Sequence, residues 1–119
     1  MCEKLACSIG NDCGGVVGNP ADGIQALVAA GNHGIDACEV SPAYVPKAIT
    51  VAASDKNNKR ALWGDDDAFG SNYGKCIDIF APGKNIKSAF SKSDDSFLAD
   101  KFGTGTSMAA PHVSGAVAL

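Results

Sequence analysis

No stretch of the sequence approaches the roughly 20 consecutive apolar residues that a bilayer-crossing helix needs, so no membrane partner is expected. The opening residues Met1-Cys2-Glu3-Lys4-Leu5-Ala6-Cys7 carry neither the basic region nor the long apolar run of a secretory signal, which puts any sorting signal upstream of Met1. A positive charge excess is missing too. Ten Lys and Arg stand against 13 Asp and Glu, a net charge of −3, and this gives no electrostatic hold on nucleic acid. No asparagine begins an Asn-x-Ser/Thr acceptor, so N-glycosylation has no site. Aromatic residues make up only 7% of the chain, which argues against a bulky aromatic core. The five cysteines include no Cys-x-x-Cys pair, and the cluster Cys2, Cys7, Cys13 has no neighbouring histidine, which disfavours a zinc or redox protein. Their odd number leaves at least one thiol free or paired outside the chain, and whether Cys38 and Cys76 pair is open.

What is present describes a Gly-rich globular piece of one domain or less: 119 residues, 14 of them Gly, and 45% hydrophobic, too apolar for a disordered chain. Residues 1–23 show no periodicity, and the turn from Gly14 to Pro20 is no phosphate cradle because no Lys-Ser/Thr follows it. Ala48 to Ala53 reads as a buried strand, and the apolar run Ile24 to Ala30 has the length of one, though its pattern equally fits a helix end. Cys76 to Phe80 reads as a third strand, closed by Ala81-Pro82-Gly83, and Ile86 to Phe90 as a fourth. Residues 33–47 and 63–74 are loop-like, and Ser91 to Lys101 is a polar, exposed stretch. Ser107 to Leu119 is mostly small and apolar, which predicts a helix buried on nearly all sides. Buried strands with a buried helix predict an α/β layered architecture.

Two residues carry candidate chemistry. Ser107 enters the predicted helix directly after Gly105-Thr106, where unpaired N–H groups and the helix dipole favour developing negative charge. Pro111 is tolerated only near a helix start and fixes that start close to Ser107. Local physics alone favours the other reading, in which Ser107 merely caps the helix. Asn32, at the end of the first apolar run, can aim its amide N–H at a neighbouring site, one half of an oxyanion hole; an ordinary turn asparagine is the competing reading.

The run Gly105-Thr106-Ser107-Met108-Ala109-x-Pro111-His112-Val113-x-Gly115 resembles the nucleophile signature of the subtilisin-like serine proteases, the subtilases or peptidase family S8. Four further segments are similar, in that family's order: Ala29-Ala30-Gly31-Asn32, then Ser41-Pro42-Ala43 leading into Ile49-Thr50-Val51, then Ser71-Asn72-Tyr73-Gly74, and Asp78-Ile79-Phe80-Ala81-Pro82-Gly83. Asp36-Ala37-Cys38, Lys47-Ala48 and Tyr73-Gly74-Lys75-Cys76 resemble the proteinase K group, in particular its fungal, vacuolar, cerevisin-like branch. The likeness covers residues 24–119 and leaves 1–23 poorly matched, which divides the chain into an N-terminal segment and the C-terminal part of an incomplete peptidase domain.

The resemblance implies a three-layer α/β fold with a mostly parallel sheet and a buried helix after the nucleophile serine. It makes Ser107 the acyl-forming nucleophile of a serine endopeptidase, with its own N–H and the Asn32 side chain as the oxyanion hole. Ala29, Ala30 and Gly31 become one wall of the substrate pocket. The chemistry needs no cofactor, but a structural calcium is implied on the carbonyls of Pro46 and Ala48 and the carboxylate of Asp78, all hard oxygen ligands. Protein or peptide substrates, a monomer, and a secreted or vacuolar location follow in the same way.

The family's Asp-Thr/Ser-Gly and His-Gly-Thr-His motifs do not occur, and neither His33 nor His112 stands in the catalytic-histidine context. The triad's Asp and His are therefore expected outside this chain, and the 119 residues alone are expected to be inactive. The alternative is a catalytically inactive fragment or pseudoenzyme with a binding role. Gly64 to Ala68 reads as extra residues, and Phe102-Gly103-Thr104 departs from the usual lead-in to the signature.

Overall fold

The computed structural model describes residues 25–64, 69–93 and 96–119. The Cys2, Cys7, Cys13 cluster and the turn from Gly14 to Pro20 lie outside these residues, as does Asp65 to Ala68. The elements are β1 (Leu27–Ala29), β2 (Ile49–Ser54), β3 (Leu62–Trp63), β4 (Phe69–Gly70), β5 (Ile79–Pro82), β6 (Ile86–Ser93), β7 (Ser96–Gly103) and one helix, α1 (Thr106–Val117).

Strands β1, β2 and β5 form a parallel sheet with β2 in the centre, Leu27 opposite Ile49 and Val51 opposite Ile79. Pairing on both edges and cover on its faces leave β2 no solvent side, which is why it reads as a continuous apolar run. Val51, Ala52 and Ala53 are fully buried. Helix α1 packs against all three strands. The contact is a cluster of Val51, Ala53, Ala61, Ala81 and Ala109, with Ile49, Trp63, Ala110 and Val113 around it. Burying Val51 contributes about 1.5–3 kcal/mol, but the alanines matter more for geometry, because only small side chains let the helix approach this closely. A smaller cluster joins Ala26, Val28 and Ala48 with Val45.

The fold is α/β as expected, with four differences in detail. Strand β5 begins at Ile79 rather than Cys76, because Cys76 is held in a disulfide and Asp78 turns its carboxylate onto the Thr50 N–H. Residues 63–74 are not simply a surface loop: Leu62–Trp63 pairs with Phe69–Gly70, and Gly70, Ser71 and Asn72 are buried. Within Ser91 to Lys101, residues 91–93 and 96–101 belong to an antiparallel strand pair in which Ile86 faces Gly103 and Ser93 faces Ser96. Backbone ladders form there despite the polar composition. Helix α1, expected to be buried on nearly all sides, fully buries only Thr106 and Ala109. It packs on one face, leaving Ser114 to Leu119 exposed.

Candidate active site

The site lies at the carboxyl ends of the parallel strands, where open α/β sheets place their ligands. The Gly83 N–H donates to the Ser54 carbonyl at 3.0 Å, and the Gly105 N–H donates to the Gly83 carbonyl at 2.8 Å. These bonds tie the start of α1 to the ends of β2 and β5. A Cβ at Gly83 would stand 2.8 Å from the Gly105 carbonyl oxygen and would crowd Ala53, so this close approach requires glycine.

Gly105 precedes the helix with φ of 149° and supplies no capping side chain. The cap comes instead from Asn32, 74 positions before Thr106. Its Oδ1 accepts from the Thr106 N–H at 2.9 Å and from the Thr106 hydroxyl at 3.0 Å. That hydroxyl accepts in turn from the Gly31 N–H at 3.2 Å. Because a backbone N–H can only donate, the atom it meets must be the amide oxygen, and this fixes which way the Asn32 amide faces. Among the described residues nothing accepts from Asn32 Nδ2. The Ser107 N–H is one of the first-turn donors that have no intrahelical acceptor. The Ser107 side chain is exposed, while its neighbours Thr106 and Ala109 are fully buried anchors. Pro111, the sixth helical residue, has no N–H to offer the Ser107 carbonyl. The site therefore presents an exposed hydroxyl at a helix start beside two uncommitted donors.

Asn32 sits in a bend whose positive φ belongs to the preceding Gly31, at 100°. Of the expected pocket wall, Ala30 is fully buried while Ala29 and Gly31 are half-buried. Asp78 is exposed; its Oδ2 accepts from the Thr50 N–H at 2.8 Å, and among the described residues nothing donates to its Oδ1. Pro46 is exposed, and Ala48 is buried with its N–H on the Val45 carbonyl. His112 bonds through Nδ1 to the Met108 carbonyl at 2.8 Å, and His33 is exposed.

Sequence reasoning gave no role to Asn72. This residue is fully buried and donates from Nδ2 to the Ala30 carbonyl at 2.8 Å. Its Oδ1 accepts from the N–H groups of His33 at 3.1 Å and Ile35 at 3.2 Å, and its own N–H meets the Gly31 carbonyl at 2.9 Å. The only sequence signal for it was its place in Ser71-Asn72-Tyr73-Gly74. Arg60 fastens the same loop, donating to the Ser71 carbonyl at 2.7 Å with its guanidinium 5.2 Å from the Tyr73 ring centre. The disulfide between Cys38 and Cys76, left open by the sequence, joins this loop to the one after β1 with Cα atoms 5.2 Å apart.

The helix start capped by a distant asparagine thus carries an exposed serine. The Subtilase family model matches residues 5–119, and the chain belongs to that family. It is 53% identical over 93 residues to cerevisin of Saccharomyces cerevisiae, covering 78% of this chain and 13% of cerevisin. It is 50% identical over 93 residues to alkaline protease 1 of Aspergillus clavatus, covering 78% of this chain and 21% of that protein. Among solved structures, a cold-adapted subtilisin-like serine proteinase superposes with a TM-score of 0.55 at 41% identity, over 76% of this chain and 29% of that one. A protease of Pseudoalteromonas arctica gives a TM-score of 0.65 at 32% identity, over 83% of this chain and 30% of the other. The chain thus spans less than a quarter of the length of these curated relatives. Among the described residues no helix is long and apolar enough to cross a membrane.

Proposed function

We propose that this chain is the nucleophile-bearing part of a serine endopeptidase that hydrolyses peptide bonds in proteins through an acyl-enzyme on Ser107. The observation that carries the reading is the capping of α1 by Asn32. It holds the Asn32 amide with Oδ1 on Thr106 and leaves Nδ2 and the Ser107 N–H free as a pair of donors. In the proposed step the Ser107 Oγ bonds to the scissile carbonyl carbon and its proton passes to a base. The oxyanion that forms accepts from Asn32 Nδ2 and the Ser107 N–H. The C–N bond then breaks with the proton delivered to the leaving amine, and water hydrolyses the ester. Neither His33 nor His112 stands in the family's catalytic-histidine context, so we assign the base to a histidine outside these 119 residues, as we do the triad aspartate. Ala29 to Gly31 serves as a wall of the substrate pocket, with the fully buried Ala30 backing the half-buried Ala29 and Gly31.

The protein acts as a monomer on protein or peptide substrates, in a secreted or vacuolar setting. Calcium on the Pro46 and Ala48 carbonyls and Asp78 would serve stability and not chemistry. The open Oδ1 of an exposed carboxylate suits such a hard cation. Millimolar calcium is expected to raise the melting temperature of the full-length protein, and Asp78→Asn to abolish the rise. A rise of the same size in the variant removes the site.

The deciding experiment is labelling of the full-length protein with a fluorophosphonate, followed by peptide mapping. An adduct on Ser107 is expected; an adduct on another residue, or none, overturns the reading. The isolated 119 residues are expected to hydrolyse no peptide. Hydrolysis by them that is lost on Ser107→Ala would show that they need no outside base.

A further inference from the structure

Resting on that reading, we propose that Asn72 is a positioning residue for the oxyanion hole: it folds the backbone from Ala30 to Ile35 so that the Asn32 amide meets the start of α1. Asn32 belongs to no strand or helix. It lies three residues beyond the end of β1, in a corner whose conformation its own side chain does not set. That corner is closed from one side by Thr106 and from the other by Asn72.

Four hydrogen bonds run from Asn72 to this short segment. The Ala30 carbonyl takes the Nδ2 proton, the His33 and Ile35 N–H groups both donate to Oδ1, and the Asn72 N–H reaches the Gly31 carbonyl. Asn72 therefore brackets Asn32 on both sides along the chain, its side chain bonding the backbone of Ala30, His33 and Ile35 and its N–H that of Gly31. The packing is tight enough that a Cβ on Gly31 would overlap the Asn72 amide. No other residue type supplies one donor and one doubly accepting oxygen at this length. Aspartate would set an acceptor against the Ala30 carbonyl, and leucine would remove the partner of that buried carbonyl and of the part-buried His33 and Ile35 N–H groups.

Asn72 touches neither Ser107 nor Asn32 through any of these bonds, so it acts through the loop. A purely structural residue would lower the amount of folded enzyme without changing turnover per active site. A positioning residue lowers kcat through Asn32 and loses that effect once Asn32 no longer donates. The test is a double-mutant cycle in the full-length protease, with kcat counted per site titrated by the fluorophosphonate. Asn32→Ala is expected to cost about 10²–10³ in kcat, as loss of one oxyanion donor does. Asn72→Ser is expected to lower kcat by about 10- to 100-fold with KM little changed. In the Asn32→Ala background the same Asn72→Ser change is expected to cost under about threefold, because coupled residues are not additive. Equal losses in both backgrounds, or an unchanged kcat in Asn72→Ser, overturn the positioning role. An Asn32→Ala enzyme with unaltered kcat overturns the oxyanion reading itself.

If Asn72→Ser does not fold, amide exchange on the unsubstituted protein decides. The His33 and Ile35 amides, on residues with exposed side chains, are expected to exchange slowly because both donate to the buried Asn72. Exchange at the rate of open loop amides overturns the proposal.

Discussion

Replacing Thr106 by valine keeps the shape of a fully buried side chain and removes one oxygen. That oxygen accepts from the Gly31 N–H at 3.2 Å and donates to Asn32 Oδ1 at 3.0 Å. The Gly31 N–H has no other described partner and would be left without an acceptor beside the helix, at about 1–3 kcal/mol. The lost bond to Asn32 adds about 0.5–1.5 kcal/mol. Thr106→Val is therefore expected to lower stability by about 2–4 kcal/mol. Asn32 would then be held only by the Thr106 N–H, so its amide should wander and kcat should fall about tenfold with KM little changed. Denaturant unfolding and steady-state hydrolysis by the full-length protein measure the two effects separately. Thr106→Ser is the control. It keeps both hydrogen bonds and is expected to lose only about 1 kcal/mol for the missing methyl group while retaining kcat. A valine variant with full stability and turnover would refute the argument, as would a serine variant as damaged as the valine one.

The disulfide closes a loop of 38 residues between Cys38 and Cys76, so replacing both by serine is expected to cost about 4 kcal/mol through the unfolded chain. Urea unfolding under oxidising conditions checks this, and a loss under about 1 kcal/mol would contradict the loop-entropy account. Gly31→Ala places a Cβ against the Asn72 amide at a φ of 100°, and a loss of about 2–4 kcal/mol together with hydrolytic activity is expected. Wild-type stability in that variant would show that the corner adapts. Asp55 accepts from the Lys59 and Asn57 N–H groups, and the first of these does most to hold its carboxyl below the ordinary aspartate value. Because the folded value is the lower one, the contribution is complete above the unfolded pKa and is lost as pH falls through the folded pKa. On acidification the parent protein should lose more stability than Asp55→Asn, and parallel pH profiles would remove the effect.

Much of the fold was legible because its signals are local. β2 reads directly as an apolar run, since a central parallel strand is buried on both faces. The helix after Ser107 reads from small residues and Pro111. Ser91 to Lys101 did not read as strand, because cross-strand pairing, not composition, makes the β6–β7 strand pair. Small residues over 107–119 predict enclosure, and among the described residues they allow a close approach of one helix face to the sheet.

The candidate site divides in the same way. The sequence by itself determined the family and singled out Ser107 and Asn32, because glycines, small residues and polar side chains at fixed spacing leave a local record. Tertiary structure alone decided that Asn32 Oδ1 caps a helix 74 positions later, that Asn72 is buried behind the Asn32 corner, and that Cys38 meets Cys76. Each of these is a contact between distant segments, and the direction of an amide is fixed by the partners that folding brings to it.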